Sequence, residues 1–188
     1  EPIEPELDVL SFTDYEDIAL GFGPRGEYMI RSVSGVELVK IVVTIYDDAG
    51  NVVGTDFTYT ELDVIPPAGK SPFMTNTDEY TGVSSYKVQV EADEGTLGRQ
   101  DLVIRGDSSD ADNIDWLHIQ GEVVNTGDTP AEWVMVMATL YDDEGHVIGV
   151  QSSFTDPEVL PAGGTAGFEI ITDQWQGFDH YELQVQGE

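Results

Sequence analysis

The chain has 188 residues, of which 37 are Asp or Glu and 7 are Lys or Arg, so its formal net charge is −30 and its pI is near 4.1. Phosphate binding needs clustered Lys and Arg, which excludes nucleic acid as a direct partner; the absence of Cys excludes disulfides, thiolate nucleophiles and zinc–thiolate sites. With 40% apolar residues this is no disordered acidic tail, so the acid must coat a folded surface.

Such a coat repels itself unless salt screens it, and at roughly 1 M salt the Debye length falls to about 3 Å. Acid is spread through both halves rather than gathered in a patch, which points to a halophilic archaeon. The chain opens Glu1-Pro2-Ile3-Glu4-Pro5-Glu6, an acidic, Pro-spaced leader. It reads as a stalk lying just past a removed signal or lipid anchor. The expectation is therefore an extracellular or cell-surface location, with membrane attachment through that anchor.

Taken in order, residues 7–12 form a short first strand and 13–25, with Gly21, Gly23 and Pro24, a loop. Residues 27–34 make the next strand. In 36–47 alternation sets Val39, Ile41, Val43 and Ile45 on one face and Leu38, Lys40, Val42, Thr44 and Tyr46 on the other. The run ends at Tyr46-Asp47-Asp48-Ala49-Gly50, where Asp starts a type I turn and Gly takes the following φ > 0 position. That predicts a hairpin returning through 51–59. Residues 64–69 turn the chain into a strand at 73–76, and 85–92 is the last strand, with Tyr86, Val88 and Val90 inward.

The same plan then repeats at an offset of 95 without a gap: Tyr46-Asp47-Asp48 with Tyr141-Asp142-Asp143, Pro66 with Pro161, Phe73 with Phe168, Tyr86 with Tyr181, and Gln89-Val90 with Gln184-Val185. Strands are expected at 102–105, 116–125, 133–142, 146–154, 166–172 and 180–186, with a polar loop at 106–115. No stretch shows helical periodicity. Short strands with turn signals every 8–12 residues predict an all-β chain of two tandem immunoglobulin-like antiparallel β-sandwiches, residues 1–94 and 95–188.

An apolar run ending in Tyr-Asp, an Asp-x-Gly turn, a later Pro-x-x-Gly and Phe, and a closing Tyr-x-[Val/Leu]-x-Val resemble the FxLYD domain. The second copy is closer, with Gly121-Glu122-Val123-Val124-Asn125-Thr126-Gly127 ahead of Leu140-Tyr141-Asp142. The first has Ile30-Arg31-Ser32 instead of that Asn-Thr-Gly turn, and the family's Phe position holds Thr44 and Thr139. The resemblance implies a small extracytoplasmic β-sandwich module and carries no activity, catalytic residue or cofactor.

No chemistry stands out. His118, His146 and His180 fall opposite Gly23, Asn51 and Ser85 of the other copy, lie on separate elements, and lack ligand spacing. No Gly-x-Ser-x-Gly elbow presents a nucleophile, and a hydrolase carboxylate pair is defined by geometry that composition does not supply. The chain is read as not an enzyme. Asp107, Asp110, Asp112 and Asp115 pack hard oxygen ligands closely enough for a Ca²⁺ site, although the segment lacks the mid-loop Gly and distal Glu of an EF-hand. A solvated acidic loop is the alternative. On the outer face of the long second-copy strand Trp133, Met135 and Met137 make a candidate interface row, where a sandwich normally turns polar residues outward. Tyr80 and Trp175 read as aromatics closing the sandwich ends.

The expected function is that of a binding or scaffold module working by protein–protein contact. The alternatives are a filament or surface-layer subunit assembling by strand addition through residues 7–12, and a divalent-cation module.

Overall fold

The computed structural model describes residues 7–17, 21–30, 35–75, 83–95, 97–173 and 175–188, and among them there are strands and turns but no helix. The strands are β1 (Leu7–Asp17), β2 (Gly21–Ile30), β3 (Val36–Tyr46), β4 (Val52–Tyr59), β5 (Val64–Ile65), β6 (Lys70–Met74) and β7 (Ser85–Glu94), then β8 (Leu102–Ala111), β9 (Leu117–Asn125), β10 (Met135–Tyr141), β11 (Val147–Phe154), β12 (Thr165–Thr172) and β13 (His180–Gln186). Two compact units divide the chain, Glu1–Leu97 and Gly98–Glu188, where the sequence suggested a boundary at 94/95.

In the first unit, β1-β2-β6 form one antiparallel sheet, and β3 pairs with β4, β5 and β7 in another. Val36 faces both Ile65 and Glu94, so β5 shares the β4 edge and β7 takes the other. In the second unit the sheets are β12-β9-β8 and β11-β10-β13. Pairing the second strand with the fifth long strand, and the third with the last, is the immunoglobulin-like arrangement.

The two units share registers as well as order. Tyr46↔Val52 and Tyr141↔Val147 follow the same bulge, and Lys40↔Tyr59 matches Met135↔Phe154. Gly26↔Phe73 matches Gly121↔Phe168. In the second unit a Cβ on Gly121 would lie 2.9 Å from the Phe168 ring, which explains the glycine on an inward-facing position.

Alternation places the cores. Ile41, Val43, Ile45 and Phe73 are buried together, with Val83, Tyr86, Val88 and Val90 packed against them. The second unit buries Leu117, Ile119 and Val123 of β9 against Val136, Ala138 and Leu140 of β10 and Phe168 and Ile170 of β12. Each Val, Leu, Ile or Phe among them removed from water is worth about 1.5–3 kcal/mol.

Two expected loops are strands. Residues 13–25 belong largely to the β1–β2 hairpin, where Asp14 faces Pro24. Pro24 lies beyond the stretch that pairs with β6, so its missing N–H costs no bond on that side. Likewise Asp107 and Asp110 sit on β8, not in an open loop. The β8–β9 connection tightens to a turn built like the other two hairpins. Asp47 Oδ1 accepts from the Ala49 and Asn51 amides at 2.9 and 2.8 Å, and Asp142 Oδ1 from Glu144 and His146 at 3.0 and 2.8 Å. Asp112 Oδ1 accepts from Ile114 and Trp116 at 2.9 and 3.0 Å. The left-handed position that follows is Gly50 at φ 79°, Gly145 at 83° and Asp115 at 67°. The Asn51 side-chain amide, 3.0 Å from Asp47 Oδ2, and then these backbone bonds lower the Asp47 carboxyl from its ordinary value; at Asp112 and Asp142 the Trp116 and His146 amides are the main cause of the same shift.

Candidate functional site

The least expected local feature occurs once per unit, at matching positions. Leu38 (φ 51°) and Trp133 (φ 52°) are bulky residues in the left-handed region, where an L side chain meets its own carbonyl. An extra residue causes it, within β3 in the first unit and just ahead of β10 in the second. Val36 and Val39 both point inward, as do Ala131 and Val134, and the β3–β7 register shifts between Glu37 and Lys40. The residue left over is thrown outward, so Leu38 stands 61% exposed and Trp133 58%.

Each bulge has aromatic company. In the second unit the Trp133 and Phe154 rings meet edge to face, 6.4 Å between centroids, and Phe154 and Val159 are also exposed. In the first unit Phe57 and Tyr59 meet edge to face at 6.2 Å, and Lys40 Nζ lies 4.8 Å over the Phe57 ring while pairing with Glu91 at 3.8 Å. A cleft of about 290 Å³ beside Leu38 is lined by Val39, Tyr59, Thr60, Leu62 and Asp63. Next to it, burial pushes the Glu61 carboxyl above its ordinary value.

The expected Trp133–Met135–Met137 row does not hold as a row. Met137 is only 1% exposed and Met135 is half-buried, leaving Trp133 as the exposed member. Met137 belongs to the central strand of its sheet, between Ser152 and Gln184 in register. Alternation assigns a face of the sheet but does not decide how far neighbouring strands cover it.

Three of the four aspartates expected around a cation, Asp107, Asp110 and Asp112, have other side-chain hydrogen-bond partners. Asp107 accepts from the Tyr181 hydroxyl at 2.9 Å, and Gln120 Nε2 lies 3.4 Å from Asp110. Asp112 caps its turn, and Asp115 occupies the left-handed turn position. Among the described residues no group of three or more His, Asp or Glu is arranged to hold a metal ion.

The histidines are dispersed. His118, on the β9 face turned away from the core, stands 3.0 Å from Glu169 of β12 and 3.4 Å from Asp112. The Glu169 bond is the main cause raising its pKa. His146 sits 3.2 Å from Asp142, and His180 stacks on Tyr141 at 5.0 Å. Trp175 donates its indole N–H to the Asp115 carbonyl at 2.8 Å and packs against the second core, closing that end together with Phe178 and Tyr181. Tyr80 lies outside the described residues.

Sequence reasoning missed the bulges because 36–39 and 131–134 hold no Gly, Pro, Asn or Asp to mark a break. The available signal was an offset in alternation, two inward positions three apart in each copy.

No family model matches the chain and no curated protein matches it. Among solved structures, red sea bream transglutaminase is similar at 7% identity and a TM-score of 0.32, over 100% of this chain and 30% of that one.

Proposed function

We propose that the chain is a non-catalytic binding or scaffold module of FxLYD type from the exterior of a halophilic archaeon, working by protein–protein contact. The observation that carries this reading is the repeated outward bulge. Holding a bulky side chain in the left-handed region costs of order 1–3 kcal/mol, and such strain collects where a residue is presented rather than packed. Two units that share registers repeat it at Leu38 and Trp133, each beside an exposed aromatic. The net charge of −30 supports a salt-screened setting.

Glycine adopts φ near 50° freely, so a Leu38→Gly/Trp133→Gly chain should melt no lower than the parent in 1 M KCl. A clear drop in melting temperature would mean that these side chains hold the fold, and the contact reading would fail. Lowering salt below roughly 0.2 M should depress the parent's melting temperature, and indifference to salt would remove the halophile argument.

One observation favours the filament reading as a second possibility. β1 is an edge strand of β1-β2-β6 and offers its outer edge to strand addition. Polymers that grow with concentration in high salt and vanish on deleting residues 1–12 would replace the first reading.

A further inference from the structure

We propose that the Trp133 face of the second unit docks a cationic partner segment, with an arginine or lysine side chain seated against the Trp133 and Phe154 rings and an apolar neighbour beside it. This rests on the contact reading above and names the partner's chemistry.

The rings come first. Trp133 and Phe154 are 58% and 48% exposed, and their interplanar angle of 72° makes a corner open to solvent. The indole face is the best aromatic platform for a cation.

The surroundings then select the sign of charge. Glu132 and Glu188 exchange backbone hydrogen bonds of 2.8 Å in each direction, and the Val134 amide donates to the Glu158 carbonyl at 3.3 Å, so three glutamates border the bulge. The second unit carries 18 Asp and Glu against Arg99 and Arg105 alone. Arg99 reaches this border, through the Glu188 carbonyl at 3.2 Å and the Pro130 carbonyl at 2.6 Å, but its charge is already paired, since its Nε and Nη2 donate to the Asp101 carboxylate at 2.9 Å. An acidic partner is repelled by this field, and so is a second copy of a chain with charge −30.

The first unit shows a related contact within the chain, on the ring next to the Tyr59 that corresponds to Phe154. There Lys40 covers the Phe57 ring and pairs with Glu91. The corresponding second-unit positions hold Met135, Ser152 and Gln186, so that unit supplies no lysine of its own to its rings. Half-buried Met135 adds apolar surface beside them.

The test is calorimetric titration of the 188-residue chain with a synthetic peptide of alternating arginine and leucine, and with its glutamate–leucine counterpart. In 1 M KCl, diffuse attraction to the acidic coat is screened and the heat reports contact. Saturable 1:1 binding of the arginine peptide alone is expected. Affinity should fall about tenfold in Trp133→Ala, consistent with losing a desolvated cation–π contact. Trp133→Gly, which relieves the backbone, should lose affinity equally with no fall in melting temperature, and Leu38→Gly should bind as the parent does. No binding, equal binding of the glutamate peptide, or unchanged affinity in Trp133→Ala would each overturn the proposal. So would a parent dimer in sedimentation that Trp133→Ala dissolves, because the occupant would then be a second copy. The double-glycine melt tests the contact reading separately, so the two failures are distinguishable.

Discussion

At the same corner of both units a threonine closes the chain after its hairpin. Thr60 Oγ1 donates to the Leu62 carbonyl at 3.1 Å, and Thr155 Oγ1 donates to the Pro157 carbonyl at 2.8 Å. One residue then changes what its neighbour must be. Leu62 has an N–H, which donates to the Ser71 hydroxyl at 3.0 Å, and Ser71 is fully buried. Pro157 has no N–H, and the position of Ser71 is taken by Ala166, equally inside. Donor and acceptor are absent together. A buried polar group without its partner costs about 1–3 kcal/mol, whereas replacing both ends by apolar groups can be neutral. The pair of corners shows how one fold tolerates different interiors as long as polar groups change in matched sets.

The sharpest way to break this comparison is to move one unit's residue into the other without its partners. Asn125 is fully buried; its amide donates to the Thr129 and Leu160 carbonyls at 2.8 and 3.0 Å, and its Oδ1 accepts from the Gly127 amide at 3.0 Å. The first unit has Ile30 at this point in the sequence. Asn125→Ile would therefore remove three hydrogen bonds and strand the Gly127 N–H, while the Leu160 and Thr129 carbonyls keep Ala131 and Arg99 as donors, and a loss on the order of 3 kcal/mol is expected. In a melt that is a fall of about 12 °C or more for the second unit. An unchanged melting temperature would show that the turn does not depend on Asn125.

The corners give the next effect. Ser71→Ala leaves the Leu62 N–H buried and unpaired, at a cost of about 1–3 kcal/mol. Ala166→Ser places a hydroxyl opposite Pro157, which has no N–H to donate, and should also destabilise. If Ser71→Ala melts like the parent, matched exchange is the wrong explanation of the difference.

These positions also mark what could be read from the sequence. The offset of 95 was visible in Tyr46/Tyr141 and Phe73/Phe168, and it implies shared registers because glycines, turns and aromatics must keep step along paired strands. The hairpins at Asp47 and Asp142 were legible because Gly50 and Gly145 announce the left-handed position. The third hairpin was not, because Asp115 fills that position. Its neighbours then read as a cation loop, although Asp is among the few residues that tolerate αL. Trp133 is exposed for a reason that the alternation of the sequence does not contain. Parity grouped it with Met135 and Met137, whereas a bulge exposes the first and a central-strand position buries the last.

A smaller effect separates Glu61 from its counterpart Asp156. Both amides donate to the facing strand at 2.9 Å, to the Pro72 and Gly167 carbonyls, so the backbones agree. Burial raises the Glu61 carboxyl, which means that the folded state disfavours its charge. Stability from this group is present below the ordinary carboxylate range and is lost as pH rises through the raised value. Glu61→Gln should accordingly melt above the parent near pH 7 and converge with it below about pH 4. A variant that melts lower at neutral pH would place a needed ionised partner at Glu61.

The smallest expected effect concerns a contact that only the second unit has. His118, Glu169 and Asp112 correspond to Gly23, Met74 and Asp17, so the first unit lacks both the imidazole and one carboxylate. Glu169 at 3.0 Å and Asp112 at 3.4 Å favour the imidazolium, and Asp110 faces His118 across the β8–β9 pair. A raised folded-state pKa on a histidine gives stability that is complete below about pH 6.5 and is lost as pH rises through the higher folded value. His118→Gln should therefore melt a few degrees below the parent at about pH 5.5, and the gap should close in mildly alkaline buffer. Glu169→Gln should bring the His118 ring's NMR titration back toward its ordinary value, since that bond is the largest cause of the shift. Molar salt should shrink the melting difference, because the carboxylates are partly exposed and exposed pairs are screened. If the ring titrates normally in the parent, the imidazolium bridge does not form in solution, and the two units differ in their acidic faces by shape alone.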